Sequence, residues 1–253
     1  MALCLEDAWF KYDEYVLKGA SICIEEGELA VLLGPMGSGK STLLYALANL
    51  IPFEKGRVTF DGRPFREEDR KKVGIVFQDP EDQFFNTTVF DEIAYSLRAL
   101  GYEESFVESK VKTLASELGI EGLLHKNPFK LSYGQKKLVA LASVLIYEPK
   151  YLLVDEPTSN LDKTSYEKVM SIIAERGALV TTHEVEWVPL ASKVYVLENG
   201  KVHEIEDVAK ALEERSLPVP LPTSWEVLIE TLGPEKTLEV MKERSRRFAS
   251  LRR

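Results

Sequence analysis

Cysteine, histidine and long apolar runs are all scarce in this chain. Each shortage removes a class of function. Two cysteines and three histidines in 253 residues leave little material for a zinc or redox centre. Cys4 and Cys23 lack C-x-x-C spacing and lie in apolar, strand-like stretches, which predicts buried free thiols in place of a disulfide or a metal site. A reducing cytoplasm fits that pattern. No run of about eighteen apolar residues occurs and no signal peptide opens the chain, so membrane association would run through a partner. Excess positive charge is missing too: the formal net charge is -9, against a general nucleic-acid binder, although a local basic patch remains compatible. Internal repeats and low-complexity tracts are also missing. With 45% hydrophobic residues, the chain can bury a large α/β core arranged as one or two domains.

Against these absences stands Gly34-Pro35-Met36-Gly37-Ser38-Gly39-Lys40-Ser41-Thr42, which fits G-x-x-x-x-G-K-[ST]. It follows the apolar run from Leu29 to Leu33 and precedes helix-like residues from Thr42 to Ala48. Strand, loop and helix is the order a phosphate-binding loop needs. Glycines let backbone N–H groups turn inward around phosphate oxygens, and the helix N-terminus adds its positive dipole end. Lys40 brings a mobile positive charge to the β and γ phosphates, and Ser41 is the expected magnesium ligand. Gly34 through Thr42 are therefore the candidate nucleotide-binding residues.

Tyr151-Leu152-Leu153-Val154 reads as a short buried parallel strand ending in Asp155 and Glu156. Burial of the strand delivers both acids to its C-terminal edge, where ligands bind in open α/β sheets. Asp155 would serve the magnesium shell, while Glu156 would orient or deprotonate an attacking water.

Leu131-Ser132-Tyr133-Gly134-Gln135 resembles the L-S-G-G-Q signature of ATP-binding cassette proteins. The resemblance covers roughly residues 1–205. Along it follow Tyr12, the phosphate loop, Gln78, the signature, Asp155-Glu156, Ser159-Asn160-Leu161-Asp162 and His183, all in the family's order. It implies an α/β phosphate-loop NTPase cassette with a mainly parallel core sheet, an antiparallel β subdomain and a helical subdomain inserted at about 86–148. The implied activity is ATP hydrolysis with ATP and Mg2+ as cofactors. By the same resemblance, Tyr12 stacks on adenine, Gln78 reaches magnesium and the attacking water, and His183 contacts the γ phosphate. Catalytic roles fall to Glu156, His183, Gln78 and Lys40, and metal binding to Ser41, Gln78 and Asp155. Ser132, Gly134 and Gln135 serve the ATP of an opposite subunit, so the working unit is a dimer. Three positions depart from the commonest pattern: Tyr133 for glycine, Asn160 for alanine and Glu184 for aspartate. Tyr133 brings a large ring near the signature backbone, but the Ser132 hydroxyl and Gly134 remain. Asp162 is also a good helix N-cap.

The segment Gln78-Asp79-Pro80-Glu81-Asp82-Gln83-Phe84-Phe85 is similar to that of ATPases in energy-coupling factor and cobalt or nickel importers. The resemblance implies partners: a second ATPase subunit, identical or related, a transmembrane coupling subunit and a solute-binding membrane subunit. It implies a peripheral position on the cytoplasmic face of the cell membrane and import of a vitamin or transition-metal ion, while the acidic charge argues against a nucleic-acid partner. A soluble cassette acting on nucleic acid or ribosomes is the alternative, opposed by the single cassette, the absence of a long coiled-coil insertion and the acidic charge.

Elsewhere, Leu3 to Phe10, Ser21 to Ile24, Arg57 to Phe60, Ala178 to Thr181 and Lys193 to Leu197 read as strands, with a hairpin turn at Asn199-Gly200. Leu138, Leu141, Ala142 and Leu145 repeat at helical spacing. After Ile205 the cassette pattern stops. Residues 206–253 form an extension resembling the dimer-holding C-terminal part of energy-coupling factor ATPases. Its parts are a charged helix from Glu206 to Arg215, an extended Pro218-Pro220-Pro222 passage, a helix from Ser224 to Leu232 and a last helix opened by Pro234. Val227, Leu228, Leu232 and Leu238 are its apolar residues offered for burial, and a basic tail runs from Lys242 to Arg253.

Overall fold

A computed structural model describes the backbone of residues 1–250 and the side chains through Arg244. In chain order its strands are β1 (Ala2–Lys11), β2 (Tyr15–Glu25), β3 (Leu29–Leu33), β4 (Lys55–Phe60), β5 (Arg63–Pro64), β6 (Val73–Val76), β7 (Tyr151–Asp155), β8 (Ala178–Thr182), β9 (Lys193–Glu198) and β10 (Lys201–Glu204). The helices are α1 (Lys40–Leu47), α2 (Val89–Ala99), α3 (Glu104–Glu117), α4 (Tyr133–Leu145), α5 (Lys163–Arg176), α6 (Val208–Glu213), α7 (Thr223–Leu232) and α8 (Pro234–Ser250).

Side chains alternate across a strand, so a strand apolar at every position is covered on both faces. The sheet β10-β9-β3-β8-β7-β6 shows this directly, with β9, β3, β8, β7 and β6 parallel and β10 antiparallel at the edge. Ala30, Leu32, Tyr151, Leu153, Leu179, Tyr195 and Leu197 point into one core, with α1 and the inner face of a second sheet. Their neighbours Val31, Leu33, Leu152, Val154, Val180, Val194 and Val196 point into the other core, lined by α2 to α5. The second sheet, β2-β1-β4-β5, is antiparallel. The predicted mixture of a parallel core sheet, an antiparallel sheet and a helical stretch between β6 and β7 is present.

Local chemistry explains the junctions. Asn199 and Gly200 both take positive φ (51° and 78°), the geometry of a two-residue hairpin turn between β9 and β10. Thr88 caps α2 by accepting from Asp91 N, and Asp162 caps α5 by accepting from Thr164 N at 3.0 Å and Ser165 N at 3.1 Å. Pro234 opens α8 as predicted.

The thiol prediction fails. Leu3 and Leu5 on β1, and Ile22 and Ile24 on β2, point inward, so the alternation turns Cys4 and Cys23 outward. The two are register partners on adjacent strands and form a disulfide. The inference to a reducing compartment therefore loses its premise. β2 also begins at Tyr15, well before the predicted Ser21, because its outward residues include Lys18 and Gly19 and read as loop.

Beyond β10, the extension folds back on the same chain. Leu217, Val219, Trp225 and Met241 are buried in the core shared with α5 and the helical turn Val185–Leu190. Of the four residues offered for burial, Leu228 and Leu238 pack against this core, whereas Val227 and Leu232 are exposed. The basic tail is described as exposed side chains at Lys242, Glu243 and Arg244, and the remainder of that prediction lies outside the described side chains.

Candidate functional site at the ends of β3 and β7

The parallel strands β3 and β7 flank β8, so the loop after one and the acids ending the other meet at a single sheet edge. Gly34 and Gly39 explain the glycine pattern between β3 and α1. A Cβ on Gly34 would lie 2.7 Å from Ser38 Oγ and 2.9 Å from the Leu197 carbonyl. At Gly39 φ is +98°, and a Cβ would approach Val16 Cγ1 to 2.5 Å. Gly39 occupies the N-cap of α1 and brings no capping side chain. The first-turn N–H groups thus keep their capacity for an external acceptor.

Lys40 is buried. Its Nζ donates to the Gly34 carbonyl at 2.8 Å and the Pro35 carbonyl at 3.1 Å, and lies 3.4 Å from Glu156 Oε1. Across the site, Glu156 Oε2 accepts from Thr182 Oγ1 at 3.2 Å and lies 3.0 Å from His183 Nδ1. Glu156 has φ +42°, a costly conformation for a non-glycine residue that its surroundings hold in place. Ammonium, carboxylate and imidazole therefore form one cluster. A carboxylate so placed can accept a proton, and the ammonium can compensate anionic charge.

Asp155 is 1% exposed. Its Oδ1 accepts from Thr181 Oγ1 at 2.5 Å, while among the described residues Oδ2 has no hydrogen-bond partner, and Ser38 Oγ is likewise buried and unpartnered. A buried carboxylate oxygen without a donor is suited to a cation. Among the described residues no group of three His, Cys, Asp or Glu side chains forms a metal-ligand set, so a divalent ion here would draw on hydroxyl, water and phosphate oxygens.

The other predicted residues are distributed around this cluster. Tyr12 is 67% exposed, its ring edge-on to Phe10, so the aromatic face is available at the surface. Gln78 is exposed beyond the end of β6. Ser132, Gly134 and Gln135 open α4, where Ser132 Oγ accepts from Gln135 N and Gln135 Oε1 accepts from Ser132 N at 3.2 Å. None of the hydrogen bonds of Ser132 or Gln135 among the described residues reaches the phosphate loop. Gly134 is fixed by packing, since a Cβ would meet Ser165 Oγ at 2.3 Å.

The departures from the family pattern have local explanations. Asn160 takes φ +60°, which asparagine tolerates better than alanine. Glu184 accepts from Thr158 Oγ1 at 2.5 Å, and Trp187 Nε1 donates to the same hydroxyl at 3.0 Å. Burial pushes the Glu184 carboxyl up from its ordinary value. The Tyr133 ring turns toward its own chain, with its hydroxyl 3.4 Å from the Gln78 carbonyl. Burial raises that phenol's pKa as well.

Two more side chains position these segments, Gln83 of the 78–85 segment and Lys137, to which the sequence assigns no role. Gln83 Nε2 donates to the Ala140 carbonyl at 2.9 Å and to Ser143 Oγ at 2.8 Å, pinning the segment after β6 to α4. Lys137 is 2% exposed, and its Nζ donates to the Gln78 carbonyl at 2.6 Å and the Glu156 carbonyl at 2.9 Å. Burial lowers its pKa to about 8 against the pull of Asp155, Asp79, Glu156 and Glu184. The signal was available: Lys137 stands four residues before Leu141, on the apolar face already recognised.

The phosphate loop, the paired acids and the parallel sheet define a nucleotide-hydrolysing phosphate-loop protein. The sequence pattern of the ABC transporter family matches residues 17–159. The energy-coupling factor transporter ATP-binding protein EcfA of Methanocaldococcus jannaschii is 38% identical over 211 residues, covering 78% of this chain and 76% of the relative. Among solved structures, cbiO1 from Clostridium perfringens, described as part of the ABC transporter complex cbiONQ, superposes with TM-score 0.76 at 29% identity, covering 95% of this chain and 98% of that one. A dimeric ATP-binding cassette, MJ0796, in a post-hydrolysis state with ADP and Pi superposes with TM-score 0.72 at 26% identity, covering 80% and 97%. The chain belongs to the ABC transporter family. It is an ATP-binding, ATP-hydrolysing cassette ATPase.

Proposed function

We propose that this ATPase powers a membrane importer for a micronutrient, a vitamin or a transition-metal ion, as a peripheral subunit on the cytoplasmic face of the membrane. Support comes from its similarity to EcfA and cbiO1 and from the surface after β6. There, Phe85 is 60% exposed and sits edge-on to exposed Tyr95, with ring centroids 4.5 Å apart. An exposed aromatic pair beside a segment pinned by Gln83 is the observation that carries the reading: it offers apolar area to a membrane-embedded coupling subunit. A separate membrane subunit would bind the solute.

In this reading Tyr12 stacks on adenine, and the backbone from Gly34 to Thr42 holds the phosphates. Lys40 and His183 compensate charge at the γ phosphate. Glu156 orients and deprotonates the attacking water, and Gln78 lies where water and coupling segment meet. Ser41, Gln78 and Asp155 would hold Mg2+, which neutralises phosphate-oxygen charge when bound. Ser132, Gly134 and Gln135 complete the site of a second ATPase subunit, a role supported by the exposed position of Ser132. The cassette then spans 1–205, with its helical subdomain at about 86–148. Residues 206–253 hold the two subunits together, with Val227, Leu232 and Val240 as exposed apolar surface.

Co-expression with neighbouring genes tests the importer reading. The chain should co-purify with integral membrane proteins, and Phe85→Asp should abolish co-purification while ATPase activity of the free chain persists. A chain that never associates with a membrane protein refutes the reading. Truncation after Ile205, compared at equal folded fraction, should give a chain that dissociates on dilution where the full chain does not. Equal dimerisation of the two would remove the dimer-holding role.

A further inference from the structure

Val76 on β6 pairs with Val154 on β7, and two residues beyond each partner stand Gln78 and Glu156. Here the ladder between the two strands has ended. The Glu156 N–H has turned to the Thr181 carbonyl of β8 at 2.9 Å and no longer faces β6, so beyond the ladder's end the carbonyls of Gln78 and Glu156 need a donor from elsewhere. Lys137 of α4 supplies the missing donor to both. Around it stand the Tyr133 ring, 5.7 Å away, the buried face of α4, and the carboxylates of Asp155, Asp79, Glu156 and Glu184, whose charge favours the ammonium.

We propose that Lys137 is a positioning residue for ATP hydrolysis: a single buried ammonium fixes the backbone of Gln78 relative to that of Glu156, so that movement of the 78–85 segment reaches the Glu156 carboxylate. Helix packing alone gives no reason for a charge here, because burying an ammonium is costly and an aliphatic side chain would fill the same face. Both acceptors lie on segments that carry candidate catalytic side chains, and one of them has the positive-φ backbone of Glu156. The other segment is independently tied to α4 by Gln83, by the Tyr133 hydroxyl and by an ion pair between Lys136 and Glu81. Contacts along α4, from Tyr133 to Ser143, thus join the signature residues, the 78–85 segment and the Glu156 backbone.

The inference rests on the proposed role of Glu156, so Glu156→Gln is the control that tests that role separately. The full chain is assayed as Lys137→Met, which keeps length without donors, and Lys137→Arg, which keeps donors. Since misplacing a reacting group is costly, kcat of Lys137→Met should fall at least about tenfold while the ATP Kd stays within about threefold. Amide hydrogen exchange should accelerate over 77–82 and 156–160 but not over β3, and Lys137→Arg should recover part of kcat. Unchanged kcat overturns the inference. So does a parallel loss of ATP affinity and thermal stability, which would mark Lys137 as a general fold contact. If Lys137→Met fails to fold, Lys137→Gln is judged by the same criteria; failure of both to fold assigns the lysine to the core and ends the proposal. Normal hydrolysis by Glu156→Gln would remove the role of Glu156 instead.

Discussion

Two helix N-termini carry the motifs of this ATPase, and they are built in opposite ways. At α1, Gly39 caps without a side chain, the loop from Pro35 to Gly37 is exposed, and the buried Lys40 and Glu156 lie 3.4 Å apart beneath it. At α4, Ser132 and Gln135 satisfy each other's backbone in a capping box, and Ser132 faces solvent. The first end keeps its N–H groups for an anion and is surrounded by its own chain's chemistry. The second has already satisfied part of its own hydrogen bonding and leaves Ser132 exposed. In the proposed reading, one terminus is a nearly complete half-site and the other contributes to the site of a second subunit.

Breaking the α1 side should have the largest effect. Glu156→Gln retains shape but cannot accept a proton, so turnover should fall by about two to four orders of magnitude with ATP still bound. Single-turnover hydrolysis and nucleotide retention measure the two effects, and near-normal steady-state turnover would falsify the role. Lys40→Ala and Ser132→Arg sharpen the contrast. Each alone should be nearly inactive, yet an equal mixture should recover roughly a quarter of wild-type activity if symmetric dimers exchange and sites act independently. A cross-link between the phosphate loop and the signature found only within one chain would contradict the shared site.

Smaller changes probe why α4 is shaped as it is. Gly134→Ala puts a methyl against Ser165, and overpacking should cost about 1–3 kcal/mol in denaturant unfolding before any catalytic effect is considered. A stability equal to wild type would mean that α4 and α5 separate easily. Tyr133→Phe removes a hydroxyl that lies 3.4 Å from the Gln78 carbonyl and interacts with Ser159, each contact worth at most about 1 kcal/mol, and ATPase activity should change by less than about fivefold. A much larger loss would make the phenol part of the coupling surface.

Local signals were readable wherever neighbouring residues alone decide conformation. Asn199-Gly200 accepts positive φ at both turn positions, Asp162 can cap with its own carboxylate, and Pro234 has its backbone angle preset for a first helical turn. Gly34 and Gly39 were recognised through the motif, and their clashes with Ser38, Leu197 and Val16 supply the reason. Reading was weaker where polar and apolar residues share a strand. Only the last part of β2 carries a strand pattern, and the apolar neighbours of Cys4 and Cys23 mask the outward alternation that joins the two.

By itself the sequence determined the phosphate loop, the acids that end β7, the order of motifs and most turns, because these depend on residue type over a few consecutive positions. Only the tertiary structure decided which distant groups meet. Lys40, Glu156 and His183 come together because β3, β8 and β7 are adjacent parallel strands that end at the same edge. Lys137 gains its two carbonyl partners only where β6 and β7 stop pairing, and Leu228 is partly covered while Val227 beside it is exposed through the angle at which the extension returns to the cassette. Such contacts join residues far apart in the chain, and burial depends on what arrives from elsewhere, which no short stretch of residues encodes.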